Sequence, residues 1–265
     1  MKTKYDNIRW VVQRNLTSRE DLEKMRASFA KTGVDHLEID IIPFSSTLPE
    51  IDQSFRSIYY GSTTFLSLLQ AAGRSFFFDE AAFSIENYLC HWGEKMLNHG
   101  ASVTTFDALL AIPYASDKSL FIRPDDDSKS FAGEVIHFGE IKTWFDRLQT
   151  IGNTGLSGNT KIIVSTPYNI RCEWRLWIVE GKVVAASRYR EYFRLKKERG
   201  CPPEVSAYAE ARCREYMPHD VFVMDVCLCG DAYFIVECNC VNGAGFYDAD
   251  VEEIIGRITK YVAER

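Results

Sequence analysis

The spacing of hydrophobic residues changes several times along the chain, and each change predicts a new element. In the first part, short apolar runs alternate with stretches whose apolar residues recur at the spacing of an amphipathic helix. The predicted strands are residues 8–12, 37–42 and 58–60, and the predicted helices are residues 18–33 and 65–72. Strand and helix therefore alternate over residues 1–78, which predicts a small α/β lobe.

The rest of the chain, residues 79–265, has a different order of elements. Several apolar runs follow one another with short turns between them, which is typical of antiparallel strands. The predicted strands are residues 120–124, 135–138, 161–165, 173–179, 183–189, 221–228 and 232–236, and the predicted helices are residues 83–98, 106–110, 141–148, 204–216 and 251–262. This mixture of hairpins and helices predicts an α+β domain.

One predicted hairpin carries polar residues inside apolar runs. Its two strands flank Gly230-Asp231, a dipeptide suited to a tight turn, and both are apolar on both faces except at Asp225, Glu237 and Asn239. Because strand side chains alternate, Glu237 and Asn239 share one face, and pairing across the turn can bring Asp225 to the same face. Two carboxylates and an amide oxygen are hard ligands that suit Mg²⁺.

A second interpretation of these acids is structural, because a buried carboxylate can simply pair with arginine or lysine. Burying two like charges together without a cation is costly, and this favours the metal site. Zinc is not expected at the nearby cysteines. By strand alternation, Cys227 and Cys229 lie on the face of Asp225 whereas Cys238 and Cys240 lie opposite, so four thiols cannot converge.

Composition narrows the class of protein. The 265 residues are 46% hydrophobic, enough for a sizeable core, and the net charge of −6 argues against bulk attraction to nucleic acid or an anionic membrane. The N-terminus lacks the apolar run of a signal peptide, and no stretch approaches the ~18 apolar residues of a membrane span. The eight cysteines lie mostly inside apolar runs, which predicts reduced thiols and a cytoplasmic location.

The hairpin resembles the magnesium-binding end of the ATP-grasp superfamily, in which an acid precedes a Glu-x-Asn sequence. Other motifs follow the same order: Phe-Ile-Arg-Pro-Asp at residues 121–125, a polar loop with Ser-Lys-Ser-Phe-Ala-Gly at residues 128–133, and Glu-x-Arg at residues 173–175. The resemblance implies an ATP-grasp fold, in which two α+β lobes grip ATP between antiparallel sheets. It places this domain at residues 79–265, with the adenine hinge near residues 164–167, and a pre-ATP-grasp lobe at residues 1–78.

The resemblance also implies roles for individual residues. Asp225, Glu237 and Asn239 hold Mg²⁺, while Arg123, Lys129 and Arg175 act on the phosphates and are the catalytic candidates. Arg123 stands where the superfamily usually has lysine, which is similar to a phage-associated branch. Nucleotide contacts are implied for Val164, Ser165, Thr166 and Glu173, and substrate contacts for Asn242, Gly243, Gly245 and Tyr247.

The implied activity is an ATP-dependent carboxylate–amine (or thiol) ligase. A carboxylate is activated as an acyl phosphate and captured by an amine to form a carbon–nitrogen bond, with release of ADP and phosphate. The expected partners are a small-molecule or peptide carboxylate and an amine, with ATP and Mg²⁺ as cofactors. A phosphotransferase on the same fold and a non-catalytic nucleotide-binding protein remain alternatives, and the sequence leaves the substrates and the oligomeric state open.

Overall fold

The computed structural model describes residues 5, 7–42, 46–79, 81–125, 131–151 and 155–265. Within these ranges the chain forms twelve strands and seven α-helices. The strands are β1 (Ile8–Gln13), β2 (Asp35–Ile39), β3 (Arg56–Tyr60), β4 (Ser102–Thr105), β5 (Ser119–Pro124), β6 (Glu134–His137), β7 (Lys161–Ser165), β8 (Ile170–Val179), β9 (Lys182–Glu191), β10 (Arg194–Arg199), β11 (Val221–Cys229) and β12 (Ala232–Asn239). The helices are α1 (Arg19–Thr32), α2 (Thr63–Ala71), α3 (Ile85–Trp92), α4 (Phe106–Leu110), α5 (Ile141–Thr150), α6 (Pro203–Cys213) and α7 (Val251–Ala263).

The N-terminal sheet is parallel, with strand order β2-β1-β3. Ser18 caps α1 by accepting from the amide of Asp21, and Gly33 ends the helix with φ +69°, a conformation that glycine adopts without strain. The second strand was expected at residues 37–42, but β2 begins earlier and ends at Ile39. It stops there because Ile39 pairs with Gln13, where the neighbouring strand β1 also ends.

The middle part of the sequence forms a four-stranded antiparallel sheet with the order β4-β7-β5-β6. Its apolar side packs on α4 and α5, where Phe106 stacks on Phe145 at 4.1 Å between ring centroids. The sequence predicted three of these strands but not β4, whose Ser-Val-Thr-Thr sequence contains one apolar residue.

The five-stranded antiparallel sheet has the order β10-β9-β8-β11-β12, so β8 and β11 are central. Alternate residues of β11 enter two different cores. Val221 and Val223 pack with β1, α1 and α7, whereas Phe222 and Met224 pack with α3 and α6. This two-sided burial explains why the sequence of the strand is apolar on both faces.

The helix predicted at residues 83–98 is shorter in the structure. α3 ends at Trp92, and Gly93 follows with φ +48°, which takes the chain out of the helix. Met96 then forms a parallel bridge to Ile235, and the amide of Leu97 donates to the carbonyl of Ile235. The apolar spacing continues past Trp92 because Met96 and Leu97 are buried against the sheet rather than on a helix.

The N-terminal sheet shares its core with the end of the chain. The indole of Trp10 donates to the hydroxyl of Thr259 at 2.9 Å, and β1 and α1 pack against α7 and one face of the five-stranded sheet. The expected domain boundary at residue 78 falls in the connection between α2 and α3 and remains a prediction. Within the described ranges, none of the helices combines the length and apolar character that spanning a membrane requires.

Candidate active site

The β11–β12 hairpin brings the three predicted metal ligands together. Gly230 has φ +59° in the turn, Asp225 lies directly opposite Glu237, and Val223 lies opposite Asn239. Residues opposite one another in an antiparallel pair point to the same face, and so do Glu237 and Asn239 by alternation. The Asn239 amide donates to Oε1 of Glu237 at 3.1 Å.

Asp225 is held by an arginine from the other neighbouring strand. Arg175 on β8 lies opposite Asp225, and its Nε and Nη2 donate to the two carboxylate oxygens at 2.9 and 2.7 Å. The side chains of Arg175 and Asp225 are 12% and 1% exposed. Burial acts to lower the pKa of Arg175, but the charge of Asp225 outweighs it and raises the pKa. The result is a rigid, bidentate pair within one sheet.

Glu237 is held by an arginine from a different sheet. Nη2 of Arg123, near the end of β5 in the four-stranded sheet, lies 2.6 Å from Oε2 of Glu237 on β12. These side chains are 15% and 24% exposed. Burial acts to raise the pKa of Glu237, but the charge of Arg123 and the amide of Asn239 outweigh it, and the pKa is lowered. This ion pair therefore connects the two sheets at the predicted site.

Glu173 lies on β8, two residues before Arg175 and on the same face. Its carboxylate accepts from the Tyr189 hydroxyl at 2.7 Å and from Arg190 at 3.2 Å. Burial raises the pKa of Glu173, and the hydrogen bond from Tyr189 and the charge of Arg190 only partly offset it. The nucleotide contact expected for this carboxylate remains a prediction, and in this structure the carboxylate binds the neighbouring strand.

An aromatic pair covers the Arg175 side chain. Tyr247 stacks on Tyr189 with ring centroids 4.9 Å apart, and the guanidinium carbon of Arg175 lies 5.2 Å from the Tyr247 ring centroid. Tyr247 adopts φ +50°, an uncommon conformation for a bulky residue, and its carbonyl accepts from Lys24 on α1. The segment that carries Tyr247 is therefore attached to the N-terminal lobe.

Sequence reasoning gave Tyr189 little weight and missed Arg190. The register between β8 and β9 explains this, because Glu173 pairs with Arg190 while Trp174 pairs with Arg188. A β-bulge at this point interrupts the alternation, so Tyr189 and Arg190 both reach the carboxylate of Glu173. The signal in the sequence was the Arg-Tyr-Arg sequence at positions 188–190, in which charged and aromatic residues alternate.

The loop after the predicted metal ligands is attached to the N-terminal lobe. The Asn242 amide donates to the carbonyl of Tyr59 at 2.6 Å and accepts from the amide of Phe77 at 3.1 Å. A Cβ at Gly243 would lie 3.1 Å from the carbonyl of Gly61, so the two loops approach closely. Substrate contacts for Asn242, Gly243 and Gly245 remain predictions, and the side chain of Asn242 already has a structural role.

The predicted hinge connects the two antiparallel sheets. Val164 and Ser165 end β7 of the four-stranded sheet, and the chain passes through Thr166 into β8 of the five-stranded sheet. The Ser165 hydroxyl is buried and lies 3.3 Å from Oδ1 of Asn98. Lys129, the loop lysine expected at the phosphates, lies outside the described residues.

The combination of two antiparallel sheets, a short connection between them and acids that pair with arginines from both sheets agrees with a family match over residues 73–258, to the model described as ATP-grasp domain, R2K clade family 3. The chain belongs to this ATP-grasp family. The match covers more than half of the chain and confirms the predicted superfamily and α+β fold. The phage-associated branch and the replacement of lysine by Arg123 remain predictions.

Solved structures with the ATP-grasp fold are similar over almost the whole chain. The D-cycloserine synthetase DcsG is 13% identical with a TM-score of 0.61, covering 97% of this chain and 99% of the other. The D-alanine–D-alanine ligase from Bacillus anthracis is 12% identical with a TM-score of 0.57, covering 97% and 99%. The ATP-grasp ligase PsnB, complexed with minimal precursor, Mg and ADP, is 12% identical with a TM-score of 0.55, covering 98% and 99%. At such identities the likeness shows the fold.

A comparison with curated proteins gave no match.

Proposed function

We propose that this ATP-grasp chain is an ATP-dependent ligase that joins a carboxylate to an amine or thiol through an acyl phosphate. The observation that carries the proposal is the cluster in which Asp225, Glu237 and Asn239 share one face, with Arg175 reaching it from the neighbouring strand and Arg123 from the other sheet. Similar folds occur in proteins named as ligases, and one is described with Mg and ADP.

The donor set fits a hard divalent cation. Asp225 and Glu237 supply carboxylate oxygens and Asn239 an amide oxygen, the ligand types that Mg²⁺ takes together with phosphate oxygens and water. Arg123 and Arg175 already balance the two carboxylates, so a divalent cation would bring excess positive charge unless anions enter with it. The phosphates of ATP are such anions. When bound, the cation supplies charge neutralisation at the phosphates.

The arginines would stabilise the charge of the transferring phosphoryl group. Arg175 is fixed by Asp225 and covered by Tyr247, so it presents its guanidinium without reorganisation, which is the basis of electrostatic preorganisation. Arg123 reaches the cluster from the other sheet and would clamp phosphate bidentately, as the usual lysine cannot. Lys129 is proposed as a third phosphate contact from the loop between β5 and β6.

The remaining contacts follow from the position of the hinge and the loop. Adenine would lie against the backbone of Val164, Ser165 and Thr166, with Glu173 on the nucleotide side. The substrate carboxylate would lie near residues 242–247, where the five-stranded sheet meets the N-terminal lobe. A cytoplasmic location is part of the proposal and rests on the eight free thiols.

The proposal is tested by ADP release in the presence of Mg²⁺ against a panel of amino acids, peptides and small carboxylates, each with and without an amine. We expect ADP only when a carboxylate and an acceptor amine are both present, together with a product lighter than their sum by one water. ADP formed with an alcohol and a phosphorylated product would instead establish a phosphotransferase. ATP binding without any turnover across the panel would favour a non-catalytic nucleotide-binding protein.

A further inference from the structure

The turn between β9 and β10 consists of residues that rarely adopt the backbone conformation it requires. Glu191 pairs with Arg194, so the turn consists of Tyr192 and Phe193, whose φ angles are +43° and +65°. A two-residue hairpin turn with two positive φ angles favours Asn-Gly, and bulky side chains are strained there. Both aromatic side chains also point into solvent, 58% and 61% exposed. The turn conformation does not favour these two residue types, and their side chains do not pack in the core. We therefore look for their role at the protein surface.

The strand that follows this turn is an exposed sheet edge. Every residue of β10 is exposed, and Leu195 is 67% exposed. In the parts of the chain that the structure describes, β10 pairs with β9 and has no strand on its outer side. The register with β9 shifts between Leu195 and Glu198, so the regular edge that could accept an added strand is the part beside the turn, at Arg194 and Leu195.

This edge carries an excess of positive charge, although the protein as a whole is acidic. Residues 188–199 contain six arginines and lysines against two glutamates, whereas the whole chain has a net charge of −6. Lys196 pairs with the partly buried Glu191, whereas Lys197 and Arg199 pair with Glu20 and Asp250, whose side chains are about half exposed. Such exposed pairs are weak enough to be exchanged for another carboxylate. Among the described residues, Arg194 has no ion pair. The charge of the edge therefore complements an acidic partner.

The edge continues into the candidate active site. Leu195 pairs with Arg190, and Arg190 donates to Glu173 on β8, the strand that also carries Arg175. With a strand spacing of about 4.8 Å, a strand added outside β10 would lie roughly 15 Å from β8. A chain segment of a few extended residues spans this distance.

We propose that β10 docks an extended acidic polypeptide, which pairs main chain to main chain with the edge and places an apolar side chain against Tyr192, Phe193 and Leu195. That this polypeptide carries the reacting carboxylate rests on the proposed ligase function. The inference of a docking surface does not depend on that function. It rests on the exposed turn, the unpaired edge and the charge of residues 188–199.

The test measures binding with no nucleotide present. An end-blocked, fluorescein-labelled peptide of alternating Glu and Val is titrated with the full chain, and fluorescence anisotropy gives the Kd. The double variant Tyr192→Asn/Phe193→Gly replaces the turn with its preferred residues, so the hairpin should fold at least as well while the aromatic side chains are removed. We expect its Kd to rise at least about tenfold, whereas Ile42→Ser, which removes an exposed apolar residue elsewhere, should leave the Kd unchanged.

Three outcomes would overturn the proposal. The first is an unchanged Kd in the double variant, and the second is equal affinity for a peptide with Lys in place of Glu. The third is self-association seen by light scattering that disappears in the double variant while no peptide binds, which would assign the edge to a second copy. ADP release is measured separately with the peptide and with small carboxylates, each with and without an amine. If none of them supports ADP release while the peptide binds, the ligase function is wrong and the docking surface is unaffected.

Discussion

Two arginine–carboxylate pairs meet at the site, and they differ in almost everything except their chemistry. Arg175 and Asp225 lie on adjacent strands of one sheet, share two hydrogen bonds and are nearly buried. Arg123 and Glu237 belong to different sheets and are more accessible to solvent. The first pair can hardly change without disturbing the sheet. The second joins strands of different sheets, between which no backbone pairing fixes its geometry.

This difference indicates which carboxylate responds to a ligand. Opening the first pair would take the bidentate arginine away from the buried Asp225 carboxylate, which is costly. Glu237 is partly solvated, so exchanging Arg123 for phosphate and a cation costs less. We infer that Asp225 fixes the geometry of the site and that Glu237 takes part in its closure around the nucleotide.

The largest effect is expected from removing the arginine of the buried pair. Arg175→Ala removes the bidentate partner of the buried Asp225 carboxylate and should lower the free energy of unfolding by about 3–5 kcal/mol, measured by urea denaturation. Adding Asp225→Asn should recover part of this loss. The exposed Arg26→Ala is the control and should change little. If Arg175→Ala changed the free energy of unfolding as little as Arg26→Ala does, the Arg175–Asp225 pair would not be the more rigid of the two pairs.

Glu237→Gln tests the second pair as a functional element. It keeps the size of the side chain but removes the charge that a cation and Arg123 both need. We expect ADP release to fall at least about 100-fold, equal to about 2.7 kcal/mol, with an unchanged unfolding curve. Glu252→Gln on α7 is the matched control. ADP release that survives the change would remove Glu237 from the proposed metal site.

Arg123→Ala should separate stability from function. Because Glu237 is partly exposed, losing its partner should change the free energy of unfolding by no more than about 1 kcal/mol. The same variant should weaken binding of an ATP analogue, measured by calorimetry, because a phosphate contact is lost. A large stability loss with unchanged nucleotide affinity would make Arg123 a structural residue like Arg175.

The smallest effect concerns pH and the neighbouring Glu173. Its raised pKa means that the native state holds the proton more tightly than the unfolded chain does. The contribution to stability is therefore fully present below the ordinary value of 4.5 and declines as pH rises through the raised pKa. Relative to Glu173→Gln, the wild type should lose unfolding free energy over this window in urea titrations at successive pH values. If the unfolding free energies of the two proteins changed with pH in the same way, the proposed effect of Glu173 would be contradicted.

Much of the site could be predicted because its ligands lie close together in the sequence. The Gly230 turn and strand alternation were enough to place Asp225, Glu237 and Asn239 on one face. Their arginine partners could not be placed in the same way. Pairing of Asp225 with Arg175 depends on the register of strands 50 residues apart, and the contact of Arg123 with Glu237 depends on how two sheets pack.

The fold shows the same division between local and distant information. Helix caps such as Ser18 and turns such as Gly230 were readable from the sequence. Strand β10 was missed because its Arg-Leu-Lys-Lys-Glu-Arg sequence has no buried face, and only its pairing with β9 makes it a strand. The helix expected at residues 83–98 was too long because burial beyond Gly93 comes from the sheet edge.

The shared core of β1, α1 and α7 limits how the chain can be dissected. The family match begins at residue 73, yet α7 packs its apolar face, including Ile254, Ile255 and Ile258, against elements that precede that residue. Expressing residues 73–265 alone would leave this face open to water. Anyone exchanging the first lobe for that of a relative, in order to alter what the protein acts on, should therefore transplant its C-terminal helix as well.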